Sequence, residues 1–305
     1  MSDRFPTPAT LERRRIGVFL VVAFGVSWAT ALGIFVTGGL TDSPELVGGI
    51  SLGYALLATG YMFGPAVGTV VTRYVTGEGR DQLRLRPNLR AARPYYAVAW
   101  FAPAVLTVLG AALYFAVFPA QFDPTMRGFG AALAGQGVEM DPALLLAIQV
   151  ASALTVGTAI NTLFAFGEEF GWRAYLLPKL LPLGVKRAVV LQGVVWGVWH
   201  WPATAMGYNY GFDYPGFPWT GMLAFLVFTV GVGTFLAWLT AREGSVWPAA
   251  VGHGAVNAIA GISLAFVAGN PSPLLGPAPI GVIAALPWLL LAAGLLRDGT
   301  WFLGS

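Results

Sequence analysis

The sequence predicts an all-α fold, a polytopic bundle of about eight transmembrane helices around a membrane-embedded polar cavity. Three observations carry that expectation. Of the 305 residues, 56% are hydrophobic and only 10% charged, against roughly 25% charged in soluble globular domains. Apolar runs of 18 or more residues recur, each long enough to cross a hydrocarbon core about 30 Å thick as a helix. Lys and Arg gather in alternate connections between those runs, which is the signature of the cytoplasmic side of a multi-pass protein.

The runs lie near 16–38, 47–72, 95–118, 143–177, 186–205, 219–240, 246–268 and 277–296. The first follows the basic lead LERRR and contains Ala29-Thr30-Ala31, as a cleaved signal peptide would. Its apolar character continues to Val36, past the about 7–15 residues of a signal core, so it reads as a retained helix. Arg4, Arg13, Arg14 and Arg15 precede it, and Arg73, Arg80, Arg84, Arg86, Arg90 and Arg93 surround the second connection. Lys179, Lys186 and Arg187 follow the fourth run, Arg242 the sixth and Arg297 the last. The opposite connections hold Asp42, Glu45, Asp123, Glu139, Asp141 and Asp213, with Arg127 their only basic residue. Both termini are therefore expected in the cytoplasm, in an integral protein of the cytoplasmic membrane.

No polar stretch is long enough for a separate soluble domain, so residues 1–305 read as one transmembrane domain. The aromatic stretch YNYGFDYPGFPW at 208–219 suits a belt at the headgroup level. With no cysteine in the chain, disulfide and thiolate chemistry are excluded.

The fourth run, ALLLAIQVASALTVGTAINTLFAF, is uncharged until it meets GEEFGWR. An ionisable side chain at the centre of a membrane helix costs about 2.5–3.5 kcal/mol on the milder scales, so it is retained for function. At 100° per residue Arg173 lies about 40° from Glu169 but about 140° from Glu168. Glu169 takes the arginine, and Glu168 points elsewhere, on a face shared with Asn161. The two histidines of the chain both lie in later apolar runs, His200 in LQGVVWGVWH and His253 in AVGHGAVN. Asn257 follows His253 at i+4 and projects from the same face. Counting from the cytoplasmic boundary, the helix rise puts Glu168 about 15 Å deep, His200 about 21 Å, His253 about 10 Å and Asn257 about 16 Å. That is one layer, expected to open to the cytoplasm.

These are the parts needed to hydrolyse an amide. A glutamate and one histidine take the proton of water, and the remaining donors hold the developing oxyanion. Glu168, His200 and His253 are equally an acceptable zinc shell with an open position, and spacing does not choose between the two.

The chain has no HExxH or GxGD motif, and no serine motif of the rhomboid kind. It has EExxxR (Glu168, Glu169, Arg173), then aromatic-xxx-His (Trp196, His200), then HxxxN (His253, Asn257), in that order on separate apolar runs. The set resembles the CAAX prenyl protease and bacteriocin-processing family of intramembrane endopeptidases, over a catalytic core of about 160–260. The resemblance implies an endopeptidase, often classed with metalloproteases, that cuts a membrane-associated protein or peptide, CAAX-like or a bacteriocin-type precursor. It implies that Glu168 and His200 activate water, that His253 and Asn257 form the oxyanion site, and that Glu169 and Arg173 support the glutamate helix. Trp196 stands where phenylalanine is usual in the family.

On that reading no cofactor is required, zinc being the alternative, and the partners are the bilayer and the substrate protein, with no nucleic acid. The Gly- and Ala-rich chain without an organelle signal reads as prokaryotic. Two other functions share the pattern. A transporter also buries Glu, Arg and His, but no second half mirrors the first as many transporter folds require. A catalytically silent immunity or scaffold protein of the same fold would not need a competent residue at every motif position.

Overall fold

The computed structural model describes residues 8–90, 92–299 and 301, so Arg4 of the basic lead lies outside the described residues. The chain is mostly helical. Helix α1 (Arg13–Val36) leads to a short hairpin, β1 (Glu45–Val47) and β2 (Ile50–Ser51), and then to α2 (Leu52–Thr76) and α3 (Arg93–Val117). A short α4 (Arg127–Gly135) precedes α5 (Pro142–Leu183), which carries the first motif. There follow α6 (Val185–Trp199), α7 (Trp201–Ala205), α8 (Trp219–Glu243), α9 (Trp247–Ile259) and α10 (Leu286–Asp298).

Six helical segments among the described residues are long and apolar enough to cross a membrane: α1, α2, α3, α5, α8, and α9 with its continuation to Phe266. The runs expected near 186–205 and 277–296 form shorter helices, for local reasons. After α6 the chain turns at His200, and Pro202, with no N–H, restarts it as α7. Before α10 the stretch GPAPIG carries two prolines and two glycines and stays non-helical. That stretch leads into Ala284 and Ala285, both fully buried, the setting in which irregular backbone is tolerated at membrane depth.

Helix α5 starts on an Asp141 cap that accepts from the Leu144 N–H at 2.9 Å, with Pro142 in the first turn. It contains two π-helical turns, Ala153–Gly157 and Trp172–Leu176. Such turns widen a helix locally and recur at functional sites; the second holds Arg173. Helix α9 packs along α5 and α3, α6 and α10 pack on α8, and α1 packs on α2. The α5–α9 contact is close because Gly254 faces Thr162, where an added Cβ would lie 2.6 Å from the Thr162 nitrogen.

The two ends of the bundle differ. At one end Lys179 binds Glu12 (2.5 Å) and Glu78, and the Trp247 indole donates to the Leu85 carbonyl at 2.8 Å. At the other, the Asp123 N–H donates to the Phe266 carbonyl and the Tyr210 hydroxyl to the Ile280 carbonyl, each at 2.8 Å. Following the helices from end to end, every described Lys and Arg falls at the first end except Arg127 and the buried Arg173.

Candidate active site

Glu168 and Glu169 lie side by side on α5, 2% and 0% exposed, and they point to different partners. Glu169 Oε1 accepts from Arg173 Nη1 at 2.7 Å, the i+4 pair, and also from His253 Nδ1 at 2.8 Å, across to α9. With Oε1 accepting from both, His253 Nδ1 carries a proton and Nε2 is the ring nitrogen not engaged by Glu169. Glu168 takes neither. Its Oε2 accepts from the Trp196 indole N–H of α6 at 2.6 Å.

Trp196 is the hub of this arrangement. The Arg173 guanidinium sits 4.2 Å from its ring centroid, a cation–π contact in a desolvated setting. Its edge meets the rings of His253 and His200, with centroids 5.3 and 5.6 Å away. Its backbone carbonyl accepts from His200 Nδ1 at 2.8 Å. That carbonyl is free for the ring because the helix tightens as it ends, the His200 N–H bonding instead to the Gly197 carbonyl at 3.1 Å. His200 is thereby held as the Nδ1–H tautomer, its Nε2 left as a proton acceptor. One residue earlier, the Trp199 carbonyl accepts from the Tyr61 hydroxyl and from the Trp28 indole (3.1 Å), which fixes the break from two further helices.

Glu168, His200, His253 and Asn257 all line one cavity of about 600 Å³, together with Asn161 and Trp196. Most of its remaining wall is apolar or aromatic. Glu169 and Arg173 lie behind that wall, fully buried.

The direction of the cavity corrects an expectation. The polar layer was expected to open toward the basic end, whereas the cavity runs to the opposite end, through Ile50, Tyr54, Tyr208, Asn209 and Ile280. Toward the basic end Trp172, Tyr175, Leu176, Leu177 and Leu180, none more than 4% exposed, pack beneath the site, and a separate polar pocket of about 300 Å³ lined by Glu12, Arg15, Glu78, Tyr175 and Lys179 lies at that end. Helix rise gives the depth of a residue but not how each half of the bundle is packed.

Tyr61, Tyr208 and Asn209 are site residues that sequence reasoning missed. The 208–219 stretch, read as a headgroup belt, instead folds partly inward, with Tyr210 and Tyr214 4% and 7% exposed. Burial, with the Glu168 charge second, pushes the Tyr208 hydroxyl up to about 12, so it stays a neutral donor at the cavity wall. Only its place in an aromatic-rich loop signals it in the sequence.

Among the described residues no group of three His, Cys, Asp or Glu side chains lies close enough together to hold a metal ion, and Glu168 Oε2, His200 Nδ1 and His253 Nδ1 are each hydrogen-bonded to a neighbour.

A family comparison covers this same stretch. Residues 142–259 match the family described as type II CAAX prenyl endopeptidase Rce1-like. The resemblance read from the three motifs is thereby shown over the segment that carries them, and at the level of that family the activity is intramembrane proteolysis. The Rce1-like segment runs from the first residue of α5 to the last of α9 and contains both glutamates, both histidines and Asn257. Among curated proteins nothing matches.

Proposed function

We propose that the chain is an intramembrane endopeptidase that hydrolyses a peptide bond in a membrane-associated protein. The observation that carries the reading is the convergence of Glu168, His200, His253 and Asn257 on one cavity within the bundle, each histidine bonded through Nδ1 and so with Nε2 as its remaining ring nitrogen. Glu168, helped by His200 Nε2, takes a proton from water as its oxygen adds to the scissile carbonyl. The negative oxygen is met by the Asn257 amide and by His253 Nε2, which donates when the ring is doubly protonated and Glu169 serves as its counter-ion. The proton on Glu168 then passes to the departing amine as the C–N bond breaks. Glu169 and Arg173 support α5, and Trp196 holds Glu168.

This reading includes eight crossings of the bilayer, a cytoplasmic-membrane location with both termini cytoplasmic, and no metal in the reaction. Traversal by α6–α7 and by 276–298 is supported by where their neighbours end, since α5 and α9 finish at opposite ends of the bundle.

The test is cleavage of co-expressed membrane proteins by the wild-type chain and by Glu168→Gln, which keeps size and hydrogen bonding but removes the base. Turnover is expected to fall by about 10²–10⁴-fold, the usual contribution of a general base, with folding and insertion retained. Dialysis of the wild type against a chelator is expected to leave turnover unchanged. Cleavage by Glu168→Gln at the wild-type rate would sink the proposal, and loss on chelation restored by zinc would sink its metal-free chemistry.

A further inference from the structure

Resting on the proteolytic reading, we infer that Gln192 is a positioning residue of the site: with Gly233 it holds one enclosed water against the edge of the Arg173 guanidinium that is turned away from Glu169. Helix α6 places Gln192, Trp196 and His200 four residues apart, hence on one face. Trp196 and His200 line the cavity, whereas Gln192 lies behind it with Arg173, both fully buried.

Arg173 Nη1 is committed to Glu169 Oε1, but among the described residues neither its Nε nor its Nη2 has a hydrogen-bond partner. The Gln192 carboxamide is in the same position, through both its oxygen and its nitrogen. Polar atoms taken out of water without a partner carry their full desolvation cost, and buried water is the usual remedy, typically making about three hydrogen bonds to such groups. Arg173 Nη2 only donates and Gln192 Oε1 only accepts. A water does both.

Gly233 of α8 supplies the place for it. A Cβ built there would lie 3.3 Å from Arg173 Nη2 and 3.8 Å from Gln192 Oε1, so the two unpartnered atoms border one space beside the glycine. Other glycines where α6 meets α8 answer a different need. A Cβ at Gly193 would lie 2.9 Å from the Val230 Cα, and one at Gly197 2.5 Å from a Leu226 methyl, so those positions bring the helices together. At Gly233 the nearest α6 backbone atom is the Gly193 Cα, at an ordinary 3.6 Å. What a side chain there would enter first is the polar niche.

The effect reaches the chemistry through Arg173. A guanidinium held by one nitrogen can turn about that bond, and a second contact on its planar fork fixes the plane. That guanidinium sits 4.2 Å from the Trp196 ring centroid, while Trp196 donates to Glu168 and Glu169 meets His253. The water therefore steadies both carboxylates without touching substrate.

The test compares kcat and KM in a small set of variants. Gln192→Met keeps the length of the side chain and removes the acceptor. Gly233→Ala sets a methyl at the niche, whereas Gly233→Ser sets there a hydroxyl that donates and accepts as water does. Gln192→Met and Gly233→Ala are each expected to lower kcat about tenfold with KM unchanged, since neither position lines the cavity. Gly233→Ser is expected to recover most of what Gly233→Ala loses, and the double variant Gln192→Met/Gly233→Ala to be no slower than either single one, because both act through the same water. Gly233→Ser as slow as Gly233→Ala, wild-type kcat in Gln192→Met, or additive losses in the double variant would each overturn the inference while leaving proteolysis intact. A crystal structure with ordered solvent tests the site without appeal to activity: a water within hydrogen-bond distance of Arg173 Nη2 and Gln192 Oε1 is expected, and direct contact between those two atoms would overturn it. If the wild type cuts no co-expressed protein, the proteolytic reading fails and the positioning role with it, and the water site stands or falls on that structure alone.

Discussion

Glu169 offers a single oxygen to both Arg173 and His253, and that sharing decides what its loss does. Glu169→Gln leaves Arg173 buried without its counter-ion, which costs about 3–5 kcal/mol, and also strips His253 of the charge that would balance a protonated ring. Thermal unfolding in detergent should show the first effect and single-turnover cleavage the second, a loss of about 10²–10³-fold, the usual worth of one oxyanion donor. Adding Arg173→Met should recover much of the stability, because no lone charge then remains, but not the turnover. Recovery of both would show that Glu169 acts on the fold alone. The Arg173 partnership was legible in the sequence, since i to i+4 on a helix is a local rule. The His253 partnership was not, because it joins residues 84 positions apart through the packing of α5 on α9. Trp196 tells the same story. Its aromatic character was readable, but not that its N–H reaches Glu168. Trp196→Phe keeps a ring below Arg173 and removes a hydrogen bond to a charged group, a type worth about 1.5–3 kcal/mol. About a tenfold fall in kcat with KM unchanged is expected from the loosened carboxylate, and an unchanged kcat would mean that Glu168 is held without it.

At the scale of elements, α5 and α9 carry the two sides of the site, so their separation sets its geometry. Gly254→Ala places a methyl 2.6 Å from the Thr162 nitrogen and 2.8 Å from its Oγ1. Backbone cannot yield as a flexible side-chain tip can, so the helices must move apart, at about 1–3 kcal/mol for overpacking. Both a lower melting temperature and slower cleavage are expected, because the shift pulls His253 from Glu169. Gly25→Ala is the control, its added Cβ meeting nothing within 4 Å, and it should be neutral or mildly stabilising. Equal losses in the two variants would remove the argument from close approach. Helix existence was legible here, since hydropathy reports burial in lipid or protein alike. What hydropathy does not register is where proline and glycine stop a helix inside an apolar run, which is why α6 and α10 are shorter than the runs that contain them.

For the whole molecule the sequence made the gathering of Lys and Arg at one end of the bundle readable, but not the direction of the cavity, which depends on how each half of the bundle is packed. The number of crossings turns on two segments that length alone leaves out, α6–α7 and 276–298. Helix α5 ends at Lys179 beside Glu12 and Glu78, whereas α8 begins near the Tyr210 contact with Ile280, at the other end. The chain between them has to traverse the bundle, although α6 itself rises only about 22 Å at 1.5 Å per residue. Its remainder is made up by the turn at His200 and by α7, and the Trp199 carbonyl at the end of α6 is satisfied by Tyr61 and Trp28 in place of water. Reporter fusions after Gly184 and Gly211 should therefore register opposite sides of the membrane, Gly184 with Gly79 in the cytoplasm and Gly211 with Gly135 outside. Six crossings, with α6–α7 resting on one surface, would put Gly184 and Gly211 on the same side. That result would move His200 out of the layer that holds Glu168 and would remove the water-activating pair on which the proposed chemistry depends.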